Sequence, residues 1–452
     1  MPTVIMGRDD SSRIAPQMNK KDFARRRRQL MRMIGKGGIA IVPAAPTRVR
    51  NRDVEHAYRQ DSDFHYLSGF PEPEAVIVLV PGRRHGEFVM FCRDRDPERE
   101  TWDGYRAGPE GAVRDFGADD AFPVSDIDDI LPGLLEHCDR VYCTMGLNAE
   151  FDQRLLGWVN QLRAAAKTGV TTPTEFVDLD HLLHDMRLFK SRSEIAAMRK
   201  AAKIAAAAHV RAMRTCKPGM WEYEIEAEFL HEFRRHDATT SYLPIVGGGA
   251  NGCILHYIEN RDRLQDGELL LIDAGCEYQG YASDITRTFP VGGRFSPAQR
   301  ALYDVVLEAQ QAAIDKVRPG NHWDEPHEAA VRVLTRGLVR LGLLKGKVSA
   351  LVKKGAYRRF YMHRTGHWLG LDVHDVGDYK VGDQWRVLEP GMVLTIEPGV
   401  YIAPGTRGVA KKWLGTGIRI EDDVLVTADG AEVLSAGVPK DPDEIERLMQ
   451  AA

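Results

Sequence analysis

Cysteine is scarce in this chain. Six are spread over 452 residues, at positions 92, 138, 143, 216, 253 and 276, and no two form a CxxC pair. A cysteine-built zinc cage and a dithiol redox site are therefore excluded, and the thiols read as buried or inert in a reducing compartment. Net charge is also small, at −4, which gives no electrostatic reason to expect nucleic acid or an anionic membrane as partner. No apolar run approaches the roughly 20 residues needed to span a bilayer. The chain opens on charge, with no apolar stretch leading to a small-residue cleavage site, so a secretory leader is not expected and a cytoplasmic location is. Arg25 to Arg28 precede no long apolar stretch and read as the solvated face of a first helix. Disorder is not expected either: with 43% hydrophobic and 28% charged residues, no tract is too polar to fold.

What is present exceeds what one hydrophobic core organises, and two domains are expected. From about residue 20 the pattern alternates: a basic helix, then the strand-like runs "GIAIVPA", "EAVIVLVPG" and "EFVMFCR", then helical periodicity near 126–137 and 150–166. This predicts an α/β domain over residues 1–182. The texture then changes to long helix, where Ser191 and Glu194 form a capping box before an alanine-rich run. A later helix has Ser296 as cap, Pro297 at its first position and Pro319-Gly320 as its stop. Short apolar runs bounded by Gly, Pro and Asp read as hairpins. Residues 183–452 are therefore expected to form an α+β domain.

Two segments of this second domain resemble each other. "GELLLIDAG" at 267–275 and "GMVLTIEPG" at 391–399 share Gly, Leu, Ile, an acid and Gly, so that Asp273 aligns with Glu397. Each is followed by a second strand with a further acid, Asp284 or Glu421, which suggests two related hairpins supplying two carboxylates each. Any one of these acids could end a strand at a turn or lie on the surface. Four at the edge of a core would be untenable without counter-charge, because an unpaired buried carboxylate costs several kcal/mol.

Two divalent cations would balance four carboxylates, and acids on facing strands can bridge metals about 3.5–4 Å apart. The segment "HRTGHWLGLDVHDVG" offers imidazoles at His363, His367 and His374. It is not an HExxH helix, since no Glu follows His363 and Gly366 and Gly370 disfavour helix. An oxygen-rich set with one imidazole suits Mn(II), Co(II) or Zn(II). Such a pair would generate a bridging hydroxide while polarising a carbonyl, and the expected reaction is hydrolysis, with Glu397 also able to accept the water proton. A GxGxxG spacing at Gly247, Gly249 and Gly252 is followed by "CILHYIEN", which reads as strand. A dinucleotide loop would need a helix there; a glycine turn carrying His256 towards the acids is the preferred reading.

With these residues in hand, the chain resembles the aminopeptidase P group of the pita-bread metallopeptidases. The resemblance runs from about residue 20 to 445 through "YRQDSDFHYLSGF", "NGCILHYIEN", "LLLIDAGCEYQGYASDITRTFP", "HWLGLDVHDVG", "LEPGMVLTIEPGVYI" and "GIRIEDDVLV". It implies a pita-bread catalytic domain behind an α/β domain, and two metal ions, usually manganese, held by Asp273, Asp284, His367, Glu397 and Glu421. His256 and His374 would contact the scissile carbonyl. His363 and Arg419, with Tyr401, would line the side that receives proline. Trp102 resembles a tryptophan that a neighbouring subunit supplies, in a homodimer or homotetramer. The implied substrates are peptides with proline second, from which the N-terminal residue is removed. A prolidase limited to Xaa-Pro dipeptides and a metal-free peptide-binding relative are the alternatives. "HRTGH", at Arg364-Thr365, and the loop "PGTRGVAKKWLGTG" depart from the group's usual pattern and leave the shape of the proline side open.

Overall fold

The structure is a computed structural model that describes residue 18 and residues 20–451. The chain divides into two compact units, one ending at Met186 and the other beginning at Arg187. Among the described residues no helix is long and apolar enough to cross a membrane.

The first unit is built on a six-stranded mixed sheet in the order 120–123, 88–92, 76–79, 38–43, 140–143, 175–178. Alternate residues of these strands, among them Ile39, Ile41, Val76, Val78, Val89 and Phe91, face one core. Their two-residue period puts them on a single face of the sheet. Helices Ile127–Leu135 and Ala149–Ala164 close that face with Leu131, Leu155 and Trp158.

The basic run departs from expectation. Arg26 and Arg27 are 2% and 5% exposed, not solvated. They donate to the carbonyls of Tyr66 at 3.0 Å and Leu67 at 2.8 Å. These carbonyls end the helix Ser62–Ser68, where the intrahelical partners run out and the dipole favours cations. Aromatic rings of Tyr66 and Phe88 cover the two guanidinium groups at 4.1 and 3.9 Å, which offsets their loss of water.

In the second unit, the expected capping box starts the helix Arg192–Thr215, with Glu194 Oε2 accepting from the Ser191 N–H at 2.9 Å. Two antiparallel hairpins follow the duplicated sequence. Strands Leu269–Asp273 and Thr286–Pro290 pair in the first, Val393–Ile396 and Asp422–Val426 in the second. In the first Ile272 lies opposite Arg287, and in the second Ile396 lies opposite Asp422. Arg287 and Asp422 are thus equivalent positions of the two hairpins, and they join them through a fully buried ion pair of 2.7 Å. Helices Pro297–Ile314 and Glu325–Arg340 share the surrounding core. This pairing of hairpins and helices is the pita-bread arrangement.

"CILHYIEN" is not a strand. The chain turns at 254–256 and runs on irregularly, leaving Ile254 and Ile258 exposed. Side chains replace a ladder here: Asn260, at φ 47°, accepts from the Val246 N–H at 3.0 Å and donates to the Pro244 carbonyl at 2.9 Å.

His209, on helix Arg192–Thr215, is fully buried, its Nε2 3.1 Å from the Ala274 carbonyl and its ring edge-on to Phe229. Burial, helped by the charge of Arg287, lowers its pKa from 6.5 to about 3. Below pH 6.5 the unfolded chain therefore binds a proton that the folded one refuses, and stability falls as pH falls. One such group contributes about 1.4 kcal/mol per pH unit, or about 2 kcal/mol on going down to about pH 5. Urea midpoints of the natural protein and His209→Gln, compared across that interval, should show a shallower slope in the variant; equal slopes would mean that His209 is not held neutral.

Candidate metal centre

Strand alternation delivers the first acid. In Leu269–Asp273, Leu270 and Ile272 enter the main core, while Leu271 packs on the opposite side with Ile245, Tyr257 and Tyr401. Asp273 follows Leu271 onto that side. Asp284 comes back beside it because Gly275 permits the return: a Cβ there would lie 1.7 Å from the Ser283 carbonyl oxygen. Gly366 serves the second hairpin in the same way, with a Cβ position 1.9 Å from the Thr395 oxygen. That approach lets the Thr395 N–H reach the His367 carbonyl at 2.9 Å and the Glu397 N–H reach the Thr365 carbonyl at 2.8 Å. His367 and Glu397 are thereby fixed on neighbouring segments.

The structure brings the five expected donors together. His367 Nε2 lies 3.3 Å from Asp284 Oδ2 and 3.8 Å from Glu397 Oε1. Donor atoms of Asp284, His367 and Glu421 all fall within 4.8 Å of one another. The Arg419 guanidinium meets Asp273 at 2.6 Å. His367 Nδ1 lies 2.9 Å from the Trp368 carbonyl; donating there leaves Nε2 with its lone pair turned to the carboxylates. The His374 ring stands edge-on to His367 at 4.3 Å between centroids. His256 is exposed on its turn, and its charge bears on both His363 and His374.

His363 is held by a chain of donors. Arg419 Nη1 donates to the Tyr401 hydroxyl at 2.9 Å, and that hydroxyl lies 2.9 Å from His363 Nε2. His363 Nδ1 is 2.7 Å from the Arg364 carbonyl. A carbonyl only accepts, so Nδ1 carries the proton and Nε2 receives the Tyr401 O–H. Burial, with the Arg419 charge adding to it, lowers the His363 pKa to about 3, and the ring is neutral.

Three further expected site residues lie as follows. Arg419, expected to face a peptide, is 3% exposed. Each of its guanidinium nitrogens is engaged by protein, with Nε on Thr286 Oγ1 at 3.1 Å, Nη1 on Tyr401 and Nη2 on Asp273. Tyr401 is likewise buried between Arg419 and His363. Trp102 belongs to the first unit, on helix Pro97–Asp103, and is 85% exposed.

Sequence reasoning missed several residues. The Tyr242 hydroxyl contacts both Asp273 Oδ1 and Asp284 Oδ1, the latter at 2.6 Å. Thr286 donates to Glu421 Oε2 at 2.6 Å. Asp423 accepts from the Asp284 N–H at 3.1 Å. Asp422 and Asp423, which follow Glu421 in the sequence, are 0% and 1% exposed. No spacing rule marks Tyr242, which stands alone in "SYLPIV".

Electrostatics decide whether the donor set suits cations. Burial, reinforced by the charges of Asp284 and Glu397, pushes Glu421 well above the usual carboxylate range. Burial likewise raises Glu397 to about 7 and raises Asp273 despite Arg419. For Asp284, burial is outweighed by the hydrogen bond and charge of His367, and its pKa is lowered. His367 is itself raised to about 9, the nearby acids overcoming burial. Four carboxylates thus crowd a low-dielectric site with one permanent counter-charge, Arg419, and such groups protonate unless cations compensate them. Oxygen donors with one imidazole fit a pair of hard or borderline divalent ions.

The profile of metallopeptidase family M24 matches residues 196–428, and that of the aminopeptidase P N-terminal domain matches residues 23–142. The chain belongs to metallopeptidase family M24. It is 49% identical to the Xaa-Pro aminopeptidase of Escherichia coli K12, covering 96% of this chain and 99% of that one. It is 34% identical to human Xaa-Pro aminopeptidase 3, covering 97% and 88%. Among solved structures, Pseudomonas aeruginosa aminopeptidase PepP superposes with a TM-score of 0.95 at 62% identity, covering 96% and 98%. A zinc-substituted E. coli aminopeptidase P in complex with product gives a TM-score of 0.94 at 49% identity, covering 96% and 99%. This M24 chain is accordingly a metallopeptidase with an aminopeptidase P type of N-terminal domain.

Proposed function

We propose that this chain is a Xaa-Pro aminopeptidase, which removes the N-terminal residue from peptides with proline second at a two-metal centre held by Asp273, Asp284, His367, Glu397 and Glu421. The observation that carries the reading is the convergence of these five donors in a chain alignable over nearly its whole length with Xaa-Pro aminopeptidases. Manganese is the ion proposed, with cobalt or zinc as alternatives. Bound divalent ions supply Lewis acidity and lower the pKa of water towards neutrality.

The remaining roles belong to the chain's own residues. Glu397, beside the proposed ions, would take the proton of the attacking water and return it to the leaving nitrogen. His256 and His374 present donors to the scissile carbonyl oxygen as charge develops on it. His363, neutral and fixed by Tyr401, lines the proline side. Arg419 holds Asp273 in place and offsets part of the cost of burying its charge. None of these contacts requires an N–H on the scissile nitrogen, the group that proline lacks. In a homodimer or homotetramer, the exposed Trp102 is the residue assigned to a neighbouring copy's site.

The test is release of the N-terminal residue from a Xaa-Pro-Xaa peptide by metal-stripped protein before and after Mn(II) is added. Release only after addition is expected. Cleavage of Xaa-Pro dipeptide alone would make the chain a prolidase, and silence on both substrates would leave a peptide-binding protein.

A further inference from the structure

Charge along the second unit is segregated. Between Glu328 and Asp372 the sequence has ten Lys or Arg and no acid, and between Glu397 and Glu421 it has four and no acid. In a chain of net charge −4, surfaces ordinarily intersperse both signs. Both stretches carry site residues: His363 and His367 in one, Tyr401 and Arg419 in the other.

Part of this charge is already matched. Arg332 pairs with Glu328, and Arg336 and Arg340 reach Glu308. Arg419 is spent on Asp273. Ten others are exposed: Lys345, Lys347, Lys353, Lys354, Arg358, Arg359, Arg364, Arg407, Lys411 and Lys412. None of the ten has an acidic partner among the described residues.

The two stretches meet beside the site. Arg359 donates to the Arg407 carbonyl, and the Tyr401 N–H donates to the Phe360 carbonyl at 2.9 Å. The Tyr401 hydroxyl then reaches His363 at 2.9 Å. Charges of Arg364 and Arg358 also bear on His327, whose Nδ1 lies 2.8 Å from Thr365. Arg358, Arg359, Arg364 and Arg407 therefore adjoin the flank on which His363 stands, and Lys411 and Lys412 follow Arg407 in the same loop.

We propose that this basic rim selects peptides with acidic residues downstream of the proline. The inference rests on the peptidase reading and on His363 marking the proline side. A substrate threading past His363 would carry its following residues over the rim, where unpaired Lys and Arg attract carboxylates at long range and raise productive encounter. Continuity with the catalytic flank, in a chain without overall positive charge, favours a peptide over a nucleic acid as the occupant.

Three peptides sharing one Xaa-Pro start, followed by Ala, Glu or Lys residues, test this with manganese-loaded protein. At low salt kcat/KM for the Glu peptide should exceed that for the Ala peptide by on the order of tenfold, and the Lys peptide should fall below both. High salt should compress the series. In Arg407→Glu/Lys411→Glu/Lys412→Glu the Glu-to-Ala ratio should invert, while Lys411→Arg/Lys412→Arg should keep it. Each ratio is taken within one variant and does not depend on its yield of folded protein. Equal rates for the three peptides at low salt would overturn this inference alone. If they came with salt-sensitive binding of a labelled single-stranded oligonucleotide, the rim would belong to nucleic acid. No release from any of the three would overturn the peptidase reading, and this inference with it.

Discussion

Asp284→Ala is expected to yield a folded protein that binds less metal and has lost turnover. Asp284 lies within reach of His367 and Glu421 and takes the Tyr242 hydroxyl, so its removal takes out the carboxylate nearest the imidazole. Loss of a metal's charge stabilisation is worth several kcal/mol at the transition state, which is about a thousandfold or more in rate. Elemental analysis, far-UV circular dichroism and peptide assay on the same preparation separate metal loss from misfolding. Full metal content with full activity would sink the two-metal reading.

The second large effect concerns the ion pair between the hairpins. Arg287 and Asp422 are both 0% exposed. Arg287 also donates to the carbonyls of Glu421, Val438 and Pro439, the first at 2.5 Å. Asp422 is held below the usual carboxylate range, the cations Arg287 and Lys440 outweighing burial. Arg287→Met leaves a buried carboxylate with Lys440 as its remaining cation, and breaking a buried pair from one side costs about 3–5 kcal/mol. Denaturant midpoints should fall accordingly. Replacing both partners by apolar residues, Arg287→Met with Asp422→Leu, should recover much of the loss, because no unpaired carboxylate remains. A cost for Arg287→Met below about 1 kcal/mol, the level of a surface pair, would show that the pair does not hold the halves.

Much of the centre was legible in the sequence because its donors advertise themselves by contrast. Asp273 and Glu397 end apolar strands, where a carboxylate is costly enough to require an explanation. The second strand that follows each of the two segments then brought in Asp284 and Glu421. Helix starts at Ser191 and Ser296 were legible because capping is a local code of four residues. The residues missed act across long separations. Tyr242 finds Asp284 from 42 positions away, and Arg287 finds Asp422 from 135, distances at which neither periodicity nor spacing constrains a partner. Arg26 and Arg27 were misjudged for the same reason: a basic run reads as solvated unless the carbonyls and rings that receive it are known. In "CILHYIEN", apolar density resembled a strand, while Asn260 supplied the hydrogen bonds that a neighbouring strand would have made. Arg419 was assigned to the proline side from the family resemblance; its contacts with Asp273, Tyr401 and Thr286 were not legible, because no spacing rule names a buried arginine's partners.

The placement of the five donors also governs when the centre can come into being. Asp273 and Asp284 lie on the first hairpin, His367, Glu397 and Glu421 on or beside the second, and about 150 residues separate the outermost two. During synthesis the first hairpin emerges with its carboxylates unmatched, and it waits for most of the remaining chain before Arg419 and His367 arrive. Donors this far apart close a large loop late. On the proposed reading, metal capture is consequently a final stage of maturation, and the ions would act as a clasp between two ends of the catalytic unit as well as a tool for chemistry.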